Sequence, residues 1–300
     1  MSIAATRSSF PWGRVWLAAP FFLCAALFWA APLGEGLWMS LQSDTRWGES
    51  HFIGLKHFAD LRNDARYWEA LFNTLRLSAV ATLVSLTLAI VLAAGIRNSA
   101  KPLRGPLSFA LMIPGLCPPS VMAVLFLLLF HGKSGLLNRW FVTPLGFEPI
   151  NWLSDPDFIL PAIMIQSIWR WTGFMSFFVG RAWDALPKDV LEAGLLDGAS
   201  AWSRFWRICF PMMSPTLVFC AVYLVVDCFA QFAGSYVLLG GSGGTNDAGL
   251  LLVSYAYQKA FLGSGFGSAA AVSLSAVPWL LGILALLVFS PRILWKGGVE

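Results

Sequence analysis

Six residues on two apolar segments hold chemistry that the sequence places at depth. Arg170, Trp171 and Phe174 stand at i, i+1 and i+4, which gathers a cation and two rings on roughly one side of a helix. Tyr223, Asp227 and Gln231 stand at i, i+4 and i+8, which predicts a polar stripe along an otherwise apolar helix. Rings that stack on a ligand, joined to a few hydrogen-bonding groups, suit a hydroxylated solute. The same residues admit a structural reading, in which Arg170 and Asp227 form a buried ion pair that locks two helices together. Arg76 is the third ionisable group inside an apolar run, and it lies close enough to the end of that run to snorkel outward.

Other chemistries find little support. Cys24, Cys117, Cys209, Cys220 and Cys228 show no C-x-x-C spacing and mostly sit in apolar runs, where a thiol packs as a small hydrophobe. His51, His57 and His131 lie in or beside polar connections, so no metal site is expected. A membrane-embedded enzyme would need a nucleophile with its base, or a metal cluster, at depth, and the candidates there are arginines and an aspartate. His131-Gly132-Lys133-Ser134 has the ending of a phosphate loop, but Leu127 stands where its first glycine is required.

The elements that must position these residues are membrane spans. Of 300 residues, 57% are hydrophobic and 12% charged, about half the charge of an ordinary soluble protein. That composition excludes intrinsic disorder, a disulfide-stapled secreted domain and a nucleic-acid binder. Six runs reach the ~20 residues needed to cross a bilayer: Val15 to Leu41, Tyr67 to Ile96, Leu107 to Phe130, Phe158 to Ala182, Pro211 to Leu239 and Ser264 to Phe289. Pro114, Pro118 and Pro119 predict a kink in the third. The first run is too long for a signal peptide and is expected to be a retained helix. Lys and Arg cluster in one set of short connections, Arg7 and Arg14, Arg97 to Arg104, Lys188 to Arg207, and Arg292 with Lys296. By the positive-inside rule these face the cytoplasm, with both termini. The expected organisation is a cytoplasmic tail over 1–14, a membrane domain over 15–290 and a cytoplasmic tail over 291–300.

Between the fourth and fifth spans, residues 186–211 form neither a tight turn nor a domain. Pro187 can open a short helix, Gly198 can end it, and Trp202 to Ile208 begins a second that Pro211 hands into the membrane. Val190, Leu191 and Leu195 predict an apolar side for the first, with Glu192 and Asp197 away from it. Its polar side is acidic, which weakens the reading of a helix resting on lipid head groups.

This segment resembles the E-A-A-x-x-x-G loop of binding-protein-dependent ABC importer permeases. The matching residues are Glu192, Ala193, Gly194, Asp197, Gly198 and Ala199, followed by Phe205, Ile208 and Pro211. Gly194 replaces the usual third-position Ala, and Phe210 the usual Leu before the proline. The likeness runs over nearly the whole chain and is strongest to the carbohydrate-uptake group that includes maltose and glycerol-3-phosphate permeases. It is carried by Phe52 to Phe58, by Tyr67-Trp68 with Asn73-Thr74, by Trp152 to Pro156 and by Trp169-Arg170.

The resemblance implies an all-α membrane fold of six spans with a cytoplasmic coupling helix. It implies one permease subunit of an ATP-driven importer of a sugar or sugar-like solute in a bacterial inner membrane. Its partners would be a second permease, an ATPase dimer docked on the 186–211 loop, an extracytoplasmic solute-binding protein and membrane lipids, with no nucleic acid. ATP and Mg²⁺ would belong to the ATPase, leaving no cofactor in this chain. In the maltose-type members, substrate contacts come from positions that align to Arg170, Trp171, Phe174, Tyr223 and Asp227. The Gly-rich run Gly240 to Asp247 would lie near the docking surface of the binding protein. A secondary transporter is the alternative, although no convincing self-similarity relates the two halves.

Overall fold

The computed structural model describes residues 12–44 and 50–295. Among them every regular element is a helix, apart from one isolated bridge between Gln42 and Phe52. The expectations for Arg7 and Lys296, and for residues 1–11 and 296–300 of the two tails, lie outside the described residues.

The first span is α1 (Trp12–Ala25) and α2 (Ala31–Met39), joined through a π-turn at Ala26–Ala30. After α3 (Lys56–Arg62), the 34-residue α4 (Ala65–Asn98) starts at Asp64, whose carboxylate accepts from the backbone N–H of Arg66 and Tyr67 at 3.1 and 3.2 Å. These bonds satisfy two of the orphan donors of the first turn. The expected third span is α5 (Lys101–Leu116) and α6 (Pro119–Leu129), bent by 96° at the Cys117-Pro118 break. Pro119 lacks an N–H and the residue before a proline disfavours helical geometry, so the predicted kink is a full corner.

α7 (Pro156–Asp184) opens on Asp155, which caps the N–H of Asp157 at 3.1 Å. It is the central helix and packs on α4, α5 and α10 (Phe210–Phe229). Four helical stretches are long and apolar enough to cross a membrane, five with the bent pair, and α7 is not among them. Its buried Gln166, Ser167, Thr172 and Ser176 lower its hydropathy, and they are tolerated because the helix is enclosed by protein. α5 meets α7 so closely at Gly173 that an added Cβ would lie 1.9 Å from the Leu111 carbonyl oxygen.

The fifth span is shorter than expected. α10 ends at Phe229, and residues 230–232 break the path before α11 (Ala233–Leu238). The chain closes with α12 (Leu252–Tyr257), a π-turn at Gln258–Leu262, and α13 (Phe266–Trp295), which matches the sixth span. The stretch Ala19–Met39 buries none of its length, leaving Phe21, Phe22, Phe28 and Trp29 exposed. Between α7 and α10 lie α8 (Lys188–Leu196) and α9 (Ala201–Arg204), the latter running through a π-turn at Phe205–Cys209 into α10.

Candidate functional site

Trp171 is the hub of the predicted cluster. Its Nε1–H donates to Asp227 Oδ2 at 2.6 Å. Its ring meets Tyr223 and Phe174 edge-on at centroid distances of 5.0 and 5.7 Å. The Arg170 guanidinium lies 4.6 Å from the same ring centroid, a cation–π distance. The structure therefore brings five of the six residues into one chain of contacts between α7 and α10. It does not form the ion pair of the alternative, structural reading: among the described residues none of the four salt bridges joins Arg170 to Asp227. The indole satisfies the carboxylate and its face receives the cation, so Trp171 links two charges that would otherwise have to meet.

Gln231 departs from the expected stripe. It lies past the end of α10, in the break at 230–232, and reaches the cluster through a shared cavity of about 250 Å³. The walls include Gln166, Arg170, Trp171, Asp227, Gln231 and Phe232, whereas Phe174 and Tyr223 lie outside it. Gly234 of α11 keeps the cavity open, because a Cβ there would stand 3.0 Å from Gln166 Oε1 and 3.3 Å from Gln231 Nε2. Two atoms of these lining residues are buried without a partner, Gln166 Oε1 and Arg170 Nε. Buried polar groups are nearly always hydrogen-bonded. The polar side chains that line the cavity, Gln166, Arg170, Asp227 and Gln231, mix donors and acceptors and suit groups that both donate and accept, such as hydroxyls. Gln166 is one turn before Arg170, and that i−4 spacing was the available signal for it. Arg76 is exposed and its nearest partner is Asn73 Oδ1, at 3.5 Å.

The 186–211 segment folds as a helix, a bend and a helix. α8 ends in a Schellman arrangement: Gly198 N–H donates to Leu195 O at 3.0 Å and Ala199 N–H to Gly194 O at 3.1 Å. Gly198 sits at φ +75°, the left-handed conformation that glycine adopts without penalty. Ser200 Oγ then accepts from Ser203 N–H at 3.2 Å to start α9. The predicted apolar side is only partly turned inward. Leu191 is half-buried, but Val190 and Leu195 are exposed, as are Leu196, Trp202 and Trp206. The residue that packs is Gly194, which is buried and where a Cβ would stand 2.7 Å from Ile208 Cδ1. The contact is with the tip of a flexible side chain, so α8 lies against the next helix here and an alanine would ask only the Ile208 side chain to shift. Glu192, Ala193 and Asp197 are exposed, while Ala199, Phe205, Ile208 and Pro211 are half-buried.

At the opposite end, the Gly-rich run is pinned rather than flexible. Arg66 donates to both carboxylate oxygens of Asp247 at 2.6 and 2.8 Å and to Gln258 Oε1 at 3.0 Å. Gln258 in turn donates to Gly241 O at 3.0 Å, and Asn73 to the carbonyls of Asp247 and Leu250. Beside this net, the Asp64 carboxylate takes the Tyr255 hydroxyl and the Lys259 ammonium, the latter at 3.1 Å. Burial pushes Asp64 up, but these two donors outweigh it and hold its carboxyl below the ordinary value. Burial likewise opposes the charge on Lys259, and its bonds to Tyr255 and Asp64 leave its pKa raised. These partners lie up to 192 residues apart in the chain, so no local spacing announces them.

With both ends of the bundle defined, residues 85–295 match the family described as the binding-protein-dependent transport system inner membrane component. The chain belongs to this family. As a permease it is an inner-membrane, multi-pass protein, the membrane component of an ABC importer, and the secondary-transporter alternative is not favoured. It is 30% identical over 259 residues to a trehalose/maltose transport system permease protein of Thermococcus litoralis, covering 84% of this chain and 85% of that one. It is 28% identical over 265 residues to a sulfoquinovosyl glycerol transport system permease protein of Agrobacterium fabrum, with 88% and 85% covered. An sn-glycerol-3-phosphate transport system permease protein of Escherichia coli is 29% identical over 265 residues, with 87% and 88% covered. Among solved structures, a chain of a bacterial ABC transporter involved in the import of the acidic polysaccharide alginate superposes with a TM-score of 0.79. It is 22% identical and covers 95% of this permease and 96% of that chain, which shows the fold.

Proposed function

We propose that this permease carries a sugar or sugar-like solute into the cytoplasm past the cavity walled by Gln166, Arg170, Trp171, Asp227 and Gln231. The observation that carries the reading is the mixed polar lining of this cavity, in which Gln166, Arg170, Asp227 and Gln231 beside the Trp171 ring bring donors and acceptors to the same space. A sugar presents several hydroxyls and pairs with both. The relatives support the class, since they are permeases for trehalose and maltose, for sulfoquinovosyl glycerol and for glycerol phosphate. Neutral and anionic solutes both occur in that set, and Arg170 with Asp227 offers one charge of each sign. At about 250 Å³ the cavity is smaller than usual ligand pockets of roughly 300–1,000 Å³, as befits a half-site completed by a second permease subunit.

In this reading the exposed Leu195, Leu196, Trp202 and Trp206 around Glu192 and Asp197 seat the 186–211 loop on an ATPase dimer, which binds the ATP and Mg²⁺. The loop and both termini then lie in the cytoplasm. The Arg66–Asp247 end faces outward, where a solute-binding protein delivers its load. The chain itself catalyses no reaction and holds no cofactor.

The test is uptake against assembly. Gln166→Leu should assemble with the ATPase and keep its stimulation by loaded binding protein, yet lose most uptake of the solute. Normal uptake in an assembled Gln166→Leu importer would remove this cavity from the route.

A further inference from the structure

A second cavity, of about 320 Å³, opens where α4, α5 and α7 converge at the end of the bundle that carries the 186–211 loop. Arg97, Arg104, Arg181 and Asp184 line it, together with Phe109 and Phe177. Arg97 is paired, its guanidinium 3.1 Å from Asp184 Oδ1. Arg104 spends only its Nε–H, on Ser99 O at 3.1 Å. Arg181 rests over the Phe177 ring at 5.4 Å. Among the described residues neither Arg104 nor Arg181 has an acidic partner. The cleft thus holds three cations against one carboxylate, a surplus of two, next to a wall of apolar surface.

We propose that this cleft binds the headgroup of an anionic phospholipid, its phosphate between Arg104 and Arg181 and its acyl chain along Phe109 and Met112. Charge complementarity selects an anion, and the arrangement selects a lipid. The cations sit at the mouth formed by the ends of α4, α5 and α7. The walls that continue along α5 are apolar and open, with Phe109 65% exposed and Leu107 42% exposed. A free phosphate would use the arginines and leave that surface bare, whereas a lipid uses both. Basic clefts between helices at the level of the headgroups are suited to this. The site is separated from the solute cavity by the Gly173–Leu111 crossing, and the inference stands whether or not the solute reading holds.

The test uses the assembled importer in phosphatidylcholine nanodiscs carrying a minor share of photoactivatable phosphatidylglycerol in both leaflets, so that orientation does not matter. Crosslinks should map to residues 104–112 and 177–184. They should fall by about 25-fold in the double variant Arg104→Gln with Arg181→Gln, at about fivefold for each charge. Arg104→Lys with Arg181→Lys should keep them, and co-elution with the ATPase verifies assembly of each variant. In the unaltered protein alone, photoactivatable phosphatidylcholine should label these segments far less. Equal labelling by the zwitterionic lipid would reduce the cleft to an apolar groove and overturn the proposal. Displacement of the label by millimolar inorganic phosphate would reassign it to a free anion, and labelling confined to other segments would also overturn it.

Discussion

The Trp171–Asp227 hydrogen bond makes a prediction whose size follows from its surroundings. Trp171 is 4% exposed, and its bond to Asp227 spans 2.6 Å. A hydrogen bond to a charged group contributes about 1.5–3 kcal/mol, and a buried group left without its partner costs about 1–3 kcal/mol. Trp171→Phe keeps the ring contacts to Tyr223 and Phe174 but leaves the carboxylate without its donor. Asp227→Leu leaves the indole N–H without its acceptor. Each single change should destabilise, and the double change should cost less than the sum by about 1.5–3 kcal/mol, because it removes both polar groups together. The volume lost from the indole appears in both arms of the cycle and cancels. The assay is a denaturant titration of the permease in mixed micelles, followed by far-UV circular dichroism. Additivity within about 0.5 kcal/mol would refute the bond as a structural link. Stronger coupling between Arg170→Leu and Asp227→Leu than between Trp171→Phe and Asp227→Leu would restore the direct ion pair.

Gly173→Ala places a Cβ 1.9 Å from the Leu111 carbonyl oxygen. Backbone faces backbone there, so α5 must retreat by about 1 Å, at about 1–3 kcal/mol or more, and an unchanged unfolding midpoint would contradict the close crossing. Gly198→Asn should keep transport and Gly198→Val should lose it, since the open space around this glycine leaves backbone conformation as the constraint; equal uptake by the two would refute the left-handed bend. Gly194→Leu should push α8 off Ile208 and uncouple ATP hydrolysis from uptake in an otherwise assembled importer, and tight coupling would show that α8 need not lie there. The Asp64–Tyr255–Lys259 clasp should be indifferent to pH between about 5 and 9. The depressed carboxyl contributes stability above its unfolded value, lost only as pH falls through the folded one. The raised lysine contributes below its unfolded value, lost only as pH rises through the folded one. Hydrogen exchange of residues 252–262, corrected for intrinsic rate, should therefore stay flat across that window and rise in Asp64→Asn, and a drop in protection near pH 6 would assign the clasp to another group.

The sequence by itself determined what depends on neighbours along the chain. Hydrophobic runs of about 20 residues mark spans because a bilayer demands apolar length. Pro118 and Pro119 mark the corner between α5 and α6 because a proline acts on its own turn. Gly198 marks the end of α8, because a left-handed residue is needed within one turn of the last helical one. Spacing also placed Arg170, Trp171 and Phe174 together, since one helix carries all three. Only the tertiary structure decided which partner each group takes. Asp227 could have met Arg170, and instead meets the indole beside it, because the packing of α7 on α10 sets that distance. Gln231 looked like a third step on a helix face, but α10 ends before it and the residue joins the cavity from a loop. The net from Arg66 through Asp247 to Gln258, and the pocket that leaves Gln166 Oε1 unused, are built from segments that meet only when the bundle closes. A periodic pattern records which side of one helix is apolar, and it holds no information about which other helix will come to lie there.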